Sequence, residues 1–334
     1  MGVLAGGGTG AFAGGRSEEV SWPLGETVVD GTLLTPDGPG PFPGVVLVAG
    51  SGPTDRDWNT PLLPGSNGSG RLLAEALAQA GFASLRYDKR VVGPHARSNL
   101  AVLGGRLTMA DHAAEVASAT RQLAAQPTVR ADRLFALAHS EGTLHALHHQ
   151  LSGEPVPFAG LVLIGPPGRP VGELARAQLA SQLADAAERA EVLRLYDEAI
   201  ARFLAGEPAA PDGRLPAVVR ALLQSLDNPL NLPFVRELWT ANPARLLRDV
   251  SAPVLVVIGQ ADVQVDWRTD GDALRRAADG RQDVTFLFPE QADHVLKHRS
   301  TGGDRAAATL YNAAGERLDE EACQAIVRWL RERC

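Results

Sequence analysis

Short apolar runs alternate with longer stretches of helical spacing along most of the chain. Val45–Val48 is a continuous apolar run closed by Ala49-Gly50-Ser51-Gly52-Pro53. An unbroken run of this length suits a strand buried on both faces. Leu72, Leu73, Ala76, Leu77 and Ala80 then recur at helical spacing, and Gly81 stops the pattern. Phe82–Leu85 reads as the next strand and runs into Arg86-Tyr87-Asp88-Lys89-Arg90. The pattern predicts a helix over 109–125, a strand over Leu134–Leu137, a helix to about residue 151 and a buried strand at Leu161–Ile164. Residues 26–35 alternate as an earlier strand, and the Pro/Gly cluster of residues 36–41 ends it. Strands resume at Val254–Ile258 and Val284–Phe288, and an amphipathic helix covers about 318–332. Such alternation implies an α/β fold with a mostly parallel central sheet, right-handed crossovers and flanking helices.

The pattern breaks between residues 170 and 248, where the text is helical, rich in Ala, Leu, Arg and Glu, and interrupted by prolines. This block reads as a helical cap or lid inserted into a core made of residues 21–169 and 249–334. Residues 1–20 begin Gly/Ala-rich and read as a flexible tail, without the basic start and apolar centre of a signal peptide.

Composition narrows the picture. The 334 residues are 45% hydrophobic and 21% charged, which fits a soluble globular protein with a sizeable core. The net charge of −7, from 32 basic and 39 acidic residues, argues against nucleic acid as a partner. Two cysteines, Cys323 and Cys334, make neither a disulfide framework nor a cysteine metal site. No apolar run is long enough to span a membrane. Cytoplasmic residence is the default expectation, and a homodimer is left open.

The candidate chemistry begins at Ala138-His139-Ser140-Glu141-Gly142, where a strand passes directly into a helix. This is the small-x-Ser-x-small layout of a nucleophile elbow, whose strained turn requires tiny residues two positions either side of the serine. Alone it could equally be a serine capping a helix. A serine nucleophile needs a base and the base an orienting acid, in the order Ser, acid, His on such a sheet. Asp262 lies just past the Val254–Ile258 strand and His294 just past the Val284–Phe288 strand. Both fall where active-site loops of an open α/β sheet collect. Gln260, Asp266 and Asp270 rival Asp262, and His298 rivals His294, but each sits less well relative to its strand. An oxyanion hole needs two backbone N–H donors. The Glu141 amide, at a helix N-terminus, is one candidate; the Ser51 amide is the second, with Gly52 as the alternative.

At this point the chain resembles an α/β-hydrolase of the serine esterase branch. It is similar to a bacterial esterase group with Gly-Ser-Gly-Pro-x-Asp-Arg-Asp, here Gly50 to Asp57, and with Arg-Tyr-Asp-x-Arg-Gly-Val-Gly, here Arg86 to Gly93. The group's Gly-His-Ser-Glu-Gly elbow is Ala138 to Gly142 here; Val91 and Ala138 stand where that group has glycine. The resemblance implies hydrolysis of carboxylic esters of short to medium acyl chains, without cofactor or metal, through an acyl-enzyme on Ser140. It also implies that Arg56 ties the oxyanion loop down through carboxylates, with Asp88 as its support. A solvated charge run at Asp55-Arg56-Asp57 is the competing reading.

Thioester, lactone, acyl-transfer and peptide chemistry remain possible on the same triad, and a non-catalytic binding or scaffold protein is the alternative from another class. His145, His148 and His149 resemble metal spacing but lack the glutamate of a His-Glu-x-x-His site, and read as packed or surface histidines. Phe234 and Trp239 are candidates to line an acyl pocket or to pack the insertion on the core. His139 is a further candidate substrate contact.

Overall fold

The computed structural model describes residues 9–12, 14–183, 186–299, 311–312 and 315–334. The chain divides into two compact units. One comprises Met1–Val102, His112–Gly168 and Pro243–Cys334; the other comprises Leu103–Asp111 and Arg169–Asn242.

The first unit is built on one sheet. Its described strands are β1 (Thr9–Phe12), β2 (Gly15–Leu24), β3 (Thr27–Pro36), β4 (Phe42–Val48), β5 (Ala83–Tyr87), β6 (Val129–His139), β7 (Gly160–Ile164), β8 (Val254–Val257) and β9 (Val284–Leu287). They lie in the order β1-β2-β3-β5-β4-β6-β7-β8-β9. The six strands from β5 to β9 in that order run parallel, while β1, β2 and β3 add on antiparallel at the β5 edge. The stretches Val45–Val48, Leu134–Ala138, Leu161–Ile164 and Val254–Val257 are apolar throughout because both faces are covered. Val45, Leu47, Phe135, Leu137, Val162, Ile164, Leu255 and Val257 point into one core. There they meet helices α1 (Ser69–Gln79) and α11 (Glu320–Arg331) through Leu73, Leu77, Ile326 and Trp329. The alternate positions Val46, Val48, Ala136, Leu161 and Leu163 are equally buried and face the other way. Helix α4 (Gly142–Leu151) packs on β4, β6 and β7.

Strand order places β4 between β5 and β6, so the crossover after β4 runs to β5 on one side while the crossover after β6 runs to β7 on the other. A crevice therefore opens at the carboxyl ends of β4 and β6, the place where open α/β sheets bind ligands.

Two boundaries differ from the sequence expectation. Of the tail assigned to residues 1–20, residues 1–8 and 13 lie outside the described residues, but residues 9–12 and 15–20 are strand. Strand β2 pairs with β3 along its whole length and buries Val20 and Trp22, whose indole Nε1 donates to Ser118 Oγ at 3.1 Å. Most of its other positions, Arg16 to Glu19 and Ser21, are polar, so two inward apolar side chains were too few to signal a strand. The helical insertion also has shifted limits. Helix α9 (Pro243–Asp249) packs on α4 and on α10 (Thr269–Ala277), and Arg281 donates to the carbonyls of Leu247, Val250 and Ala252 behind it. Conversely, Gly105 N–H donates to Leu230 O at 2.8 Å and Met109 N–H to the Glu237 carboxylate at 2.6 Å, which joins residues 103–111 to the helical unit.

The helical unit has an interior of its own, formed by Leu179, Leu195, Tyr196, Phe203, Leu223 and Trp239 among others. It contains α5 (Val171–Gln182), α6 (Ala186–Leu204), α7 (Ala217–Leu226) and α8 (Leu232–Thr240). Among the described residues, no helix is long and apolar enough to cross a membrane.

Phe135 is fully buried in β6 and meets Phe82 edge-on, with centroids 6.5 Å apart. Phe135→Ala is expected to lower stability by about 3–5 kcal/mol, read as a shift in the urea midpoint at unchanged slope.

Candidate active site

Ser140 sits immediately after β6 with φ of +52°, a conformation that residues with a Cβ rarely hold. Its N–H donates to Ile164 O at 2.8 Å, so the turn is anchored to β7. Its carbonyl accepts from Thr143 N–H and from the Thr143 hydroxyl at 2.6 Å. Gly142 has to be glycine: a Cβ there would stand 2.4 Å from Ala49 O and 2.8 Å from Val48 O. The first turn of α4 thus lies directly on the end of β4. Ala138 is buried without positive φ, so the position that carries glycine in the resembled motif needs only a small side chain here.

Asp262 and His294 come from the loops after β8 and β9. His294 Nδ1 lies 2.8 Å from Asp262 Oδ2, and the Asp262 side chain is fully buried. Asp262 Oδ1 accepts from the N–H groups of Gln264 and Val265, at 2.7 and 2.9 Å, which fixes the carboxylate plane. The imidazole rests on Gly165, where a Cβ would come within 3.0 Å of two ring atoms. Burial opposes the charged imidazole, but the Asp262 charge and hydrogen bond outweigh it and raise the His294 pKa above its usual 6.5.

Ser140 and His294 line one cavity of about 120 Å³, together with Ser51, Thr54, Trp58, His139, Tyr311 and Asn312. His139 stacks on Trp58, with centroids 4.8 Å apart, and its Nε2 donates to His294 O at 3.0 Å. Burial and the neighbouring His294 push the His139 pKa well below the usual value, so this ring is neutral. With Nε2 donating, Nδ1 is left as an acceptor, buried and without a hydrogen-bond partner among the described residues. Ser51 lines the cavity, whereas Gly52 is not among its lining residues.

The rival acids and histidine have other places. Asp270 accepts from Gly168 N–H, Asp266 from Thr269 N–H, and Gln260 donates to Phe288 O. His298 faces Asp319 at 3.1 Å. His145 Nε2 meets Glu141 Oε1 at 3.2 Å, and His149 Nε2 donates to Val156 O. Burial, opposed by Glu141 but helped by His112, lowers the His145 pKa to about 4. Trp239 fills the helical unit's own interior, edge-on to Phe203 and against Gly172, and Phe234 is buried as well. Neither lines the cavity at Ser140.

The Asp55-Arg56-Asp57 run is tied down rather than solvated. Arg56 grips Asp88 through its backbone N–H at 2.7 Å and its Nη2 at 2.7 Å, and also reaches Glu19 and Thr32. Asp57 pairs with Arg86, and Asp55 accepts from the N–H groups of Asp57 and Asn59. Several cavity residues carried no sequence signal of their own, among them Trp58, Tyr311 and Asn312. Trp58 directly follows the Asp-Arg-Asp run, has φ of +68°, and packs under His139. Asn312 meets Gly65 from a segment far along the chain.

Comparison with known proteins supports this architecture. Residues 45–308 match the model of the Alpha/beta hydrolase family. The chain is 26% identical over 312 residues to Esterase EstD of Thermotoga maritima, covering 90% of this chain but only 65% of that protein. Among solved structures it is similar to the Pyrococcus furiosus esterase PF2001, with TM-score 0.52, 15% identity and coverage of 95% and 90% of the two chains. It is also similar to proline iminopeptidase of Mycobacterium smegmatis, with TM-score 0.54, 16% identity and coverage of 94% and 98%. At these identities the structural likeness speaks for the fold. The fold, the family match and the site at the strand ends agree: the chain belongs to the alpha/beta hydrolase family.

Proposed function

We propose that the protein is a serine hydrolase that cleaves carboxylic esters with short acyl groups. The observation that carries this reading is the Asp262–His294 pair, held at 2.8 Å and sharing one cavity with a serine kept at positive φ. His294 takes the proton of Ser140 as the serine oxygen attacks the ester carbonyl. Asp262 holds the Nδ1–H tautomer and stabilises the imidazolium that forms. The amides of Glu141 and Ser51 receive the negative charge of the tetrahedral intermediate. Collapse releases the alcohol, which takes the proton from His294, and water activated by the same imidazole then releases the acid. The Thermotoga maritima relative is named an esterase, which supports the ester reading. The cavity of about 120 Å³ supports a short acyl group, since pockets for larger ligands run to roughly 300–1,000 Å³. The helical unit spanning Arg169–Asn242 is proposed to act as a cap.

Ser140→Ala is expected to lower kcat on p-nitrophenyl acetate by about 10⁶-fold, on the precedent of triad knockouts in a serine protease. Near-normal turnover by the purified variant would refute the assignment. Acetyl and butyryl esters should be cleaved faster than decanoyl esters, and thioesters, lactones and aminoacyl amides more slowly than either. A panel in which one of those classes is preferred would move the chemistry to it.

The raised His294 pKa sets the pH dependence. Activity needs the neutral imidazole, so kcat/KM should rise with pH through an inflection above 6.5. The stability contribution of the Asp262–imidazolium pair runs the other way. It is fully present below the unfolded value of about 6.5 and is lost as pH rises through the folded pKa. Asp262→Asn should move the inflection down and cut kcat by about 10⁴-fold. An inflection that stays in place in this variant would show that Asp262 does not set the His294 pKa.

A further inference from the structure

Lys89 occupies the open position of the Arg-Tyr-Asp-x-Arg run and is almost fully buried, with 6% of its side chain exposed. Its ammonium has three partners: Gly50 O, Gly52 O at 3.2 Å and Glu141 Oε1 at 3.1 Å. The first two belong to the loop after β4, and the third to the residue that follows Ser140. Lys89 does not line the cavity, so it grips this loop from behind.

We propose that Lys89 is the positioning residue that forms the oxyanion hole, by fixing the direction of the Gly50–Ser51 peptide relative to the Glu141 amide. The inference rests on the serine-hydrolase reading above. In a trans peptide the carbonyl oxygen and the following N–H point to opposite sides. Gly50 O is drawn to Lys89, so the Ser51 N–H is driven the other way, towards the cavity that Ser51 lines. The next peptide is fixed in the reverse sense. Ser51 O accepts from the Thr54 hydroxyl at 2.6 Å, and Thr54 stands on the cavity wall, so the Gly52 N–H turns away. The Gly52 carbonyl precedes Pro53, which has no N–H to offer. Of the two loop amides, the one that Lys89 orients is the one that faces substrate.

Glu141 closes the device. Its backbone N–H is at the start of α4, where no intrahelical carbonyl takes it up. Its carboxylate reaches back to Lys89 and to His145. Burial alone would raise the Glu141 pKa, but the Lys89 charge and His145 hold it below the usual carboxylate range, so the pair stays ionic. One ammonium thereby sets the spacing between the two proposed donors. His112, stacked on His145, Glu115 and Arg90 are the next charged or titratable groups in the same buried cluster.

The test compares Lys89→Met, which keeps length and loses the charge, with Glu141→Gln, which keeps the backbone donor and loses the anionic anchor. Active sites are counted by endpoint labelling with a fluorophosphonate. A trifluoromethyl ketone serves as probe, because Ser140 Oγ would bond to its carbonyl carbon, the carbonyl π pair would become an oxyanion, and the serine proton would pass to His294. Lys89→Met should lower kcat per labelled site by about 10²-fold, the scale of losing one oxyanion donor. KM should stay within about threefold, and inhibition by the ketone should weaken in parallel with kcat/KM. Glu141→Gln should show the same pattern at smaller amplitude, and it decides the matter if Lys89→Met does not fold. Unchanged kcat per site, or a rise in KM with the ratio of ketone affinity to KM preserved, would overturn the proposal. A wild-type protein that is neither labelled at Ser140 nor active on esters would instead overturn the underlying reading.

Discussion

Everything at the site depends on one close backbone crossing. The first turn of α4 lies on the end of β4 with no room for a side chain between them, which is why Gly142 sits against the carbonyls of Val48 and Ala49. Ser140 stands in its positive-φ turn beside that crossing, and Glu141 is linked through Lys89 to the carbonyls of Gly50 and Gly52. Strained residues persist only where the surroundings over-determine them. Here the anchors are the Ser140 N–H on Ile164, the Thr143 hydroxyl on Ser140 O, and the packed strands on either side.

A second layer of order comes from buried charge. Arg56 with Asp88, Lys89 with Glu141, and Arg90 with Glu115 are ion pairs that each have one partner in the short segment after β5. Burying such pairs seldom adds net stability, because desolvation offsets the attraction, whereas removing one partner is costly. Their effect is specificity of geometry: each fixes a loop that apolar packing alone would leave free to choose among conformations.

Much of this architecture was legible in the chain. Apolar runs such as Val45–Val48 and Leu161–Ile164 announce strands covered on both sides, and the serine, acid and histidine stand just past three such runs. What was not legible has physical reasons. Strand β2 turns only Val20 and Trp22 inward, too few to show a period of two amid polar neighbours. The limits of the helical unit depend on pairings such as Met109 with Glu237, more than a hundred residues apart, which no local pattern encodes. From sequence Trp239 could line a pocket or pack the insertion on the core, and it lies in the helical unit's own interior. Lys89 is silent because its partners are mostly backbone carbonyls, and the identity of the residues bearing them carries little trace of that bond.

The contact between Gly165 and His294 has a consequence for how the protein would fail on heating. The imidazole lies against Gly165 at the end of β7, the Asp262 carboxylate and the His139 ring. In the proposed mechanism, an orientation settled by the sheet would not have to be found again at each turnover. On the proposed role of His294 as base, thermal loss of activity is expected to coincide with the melting of the parallel strands.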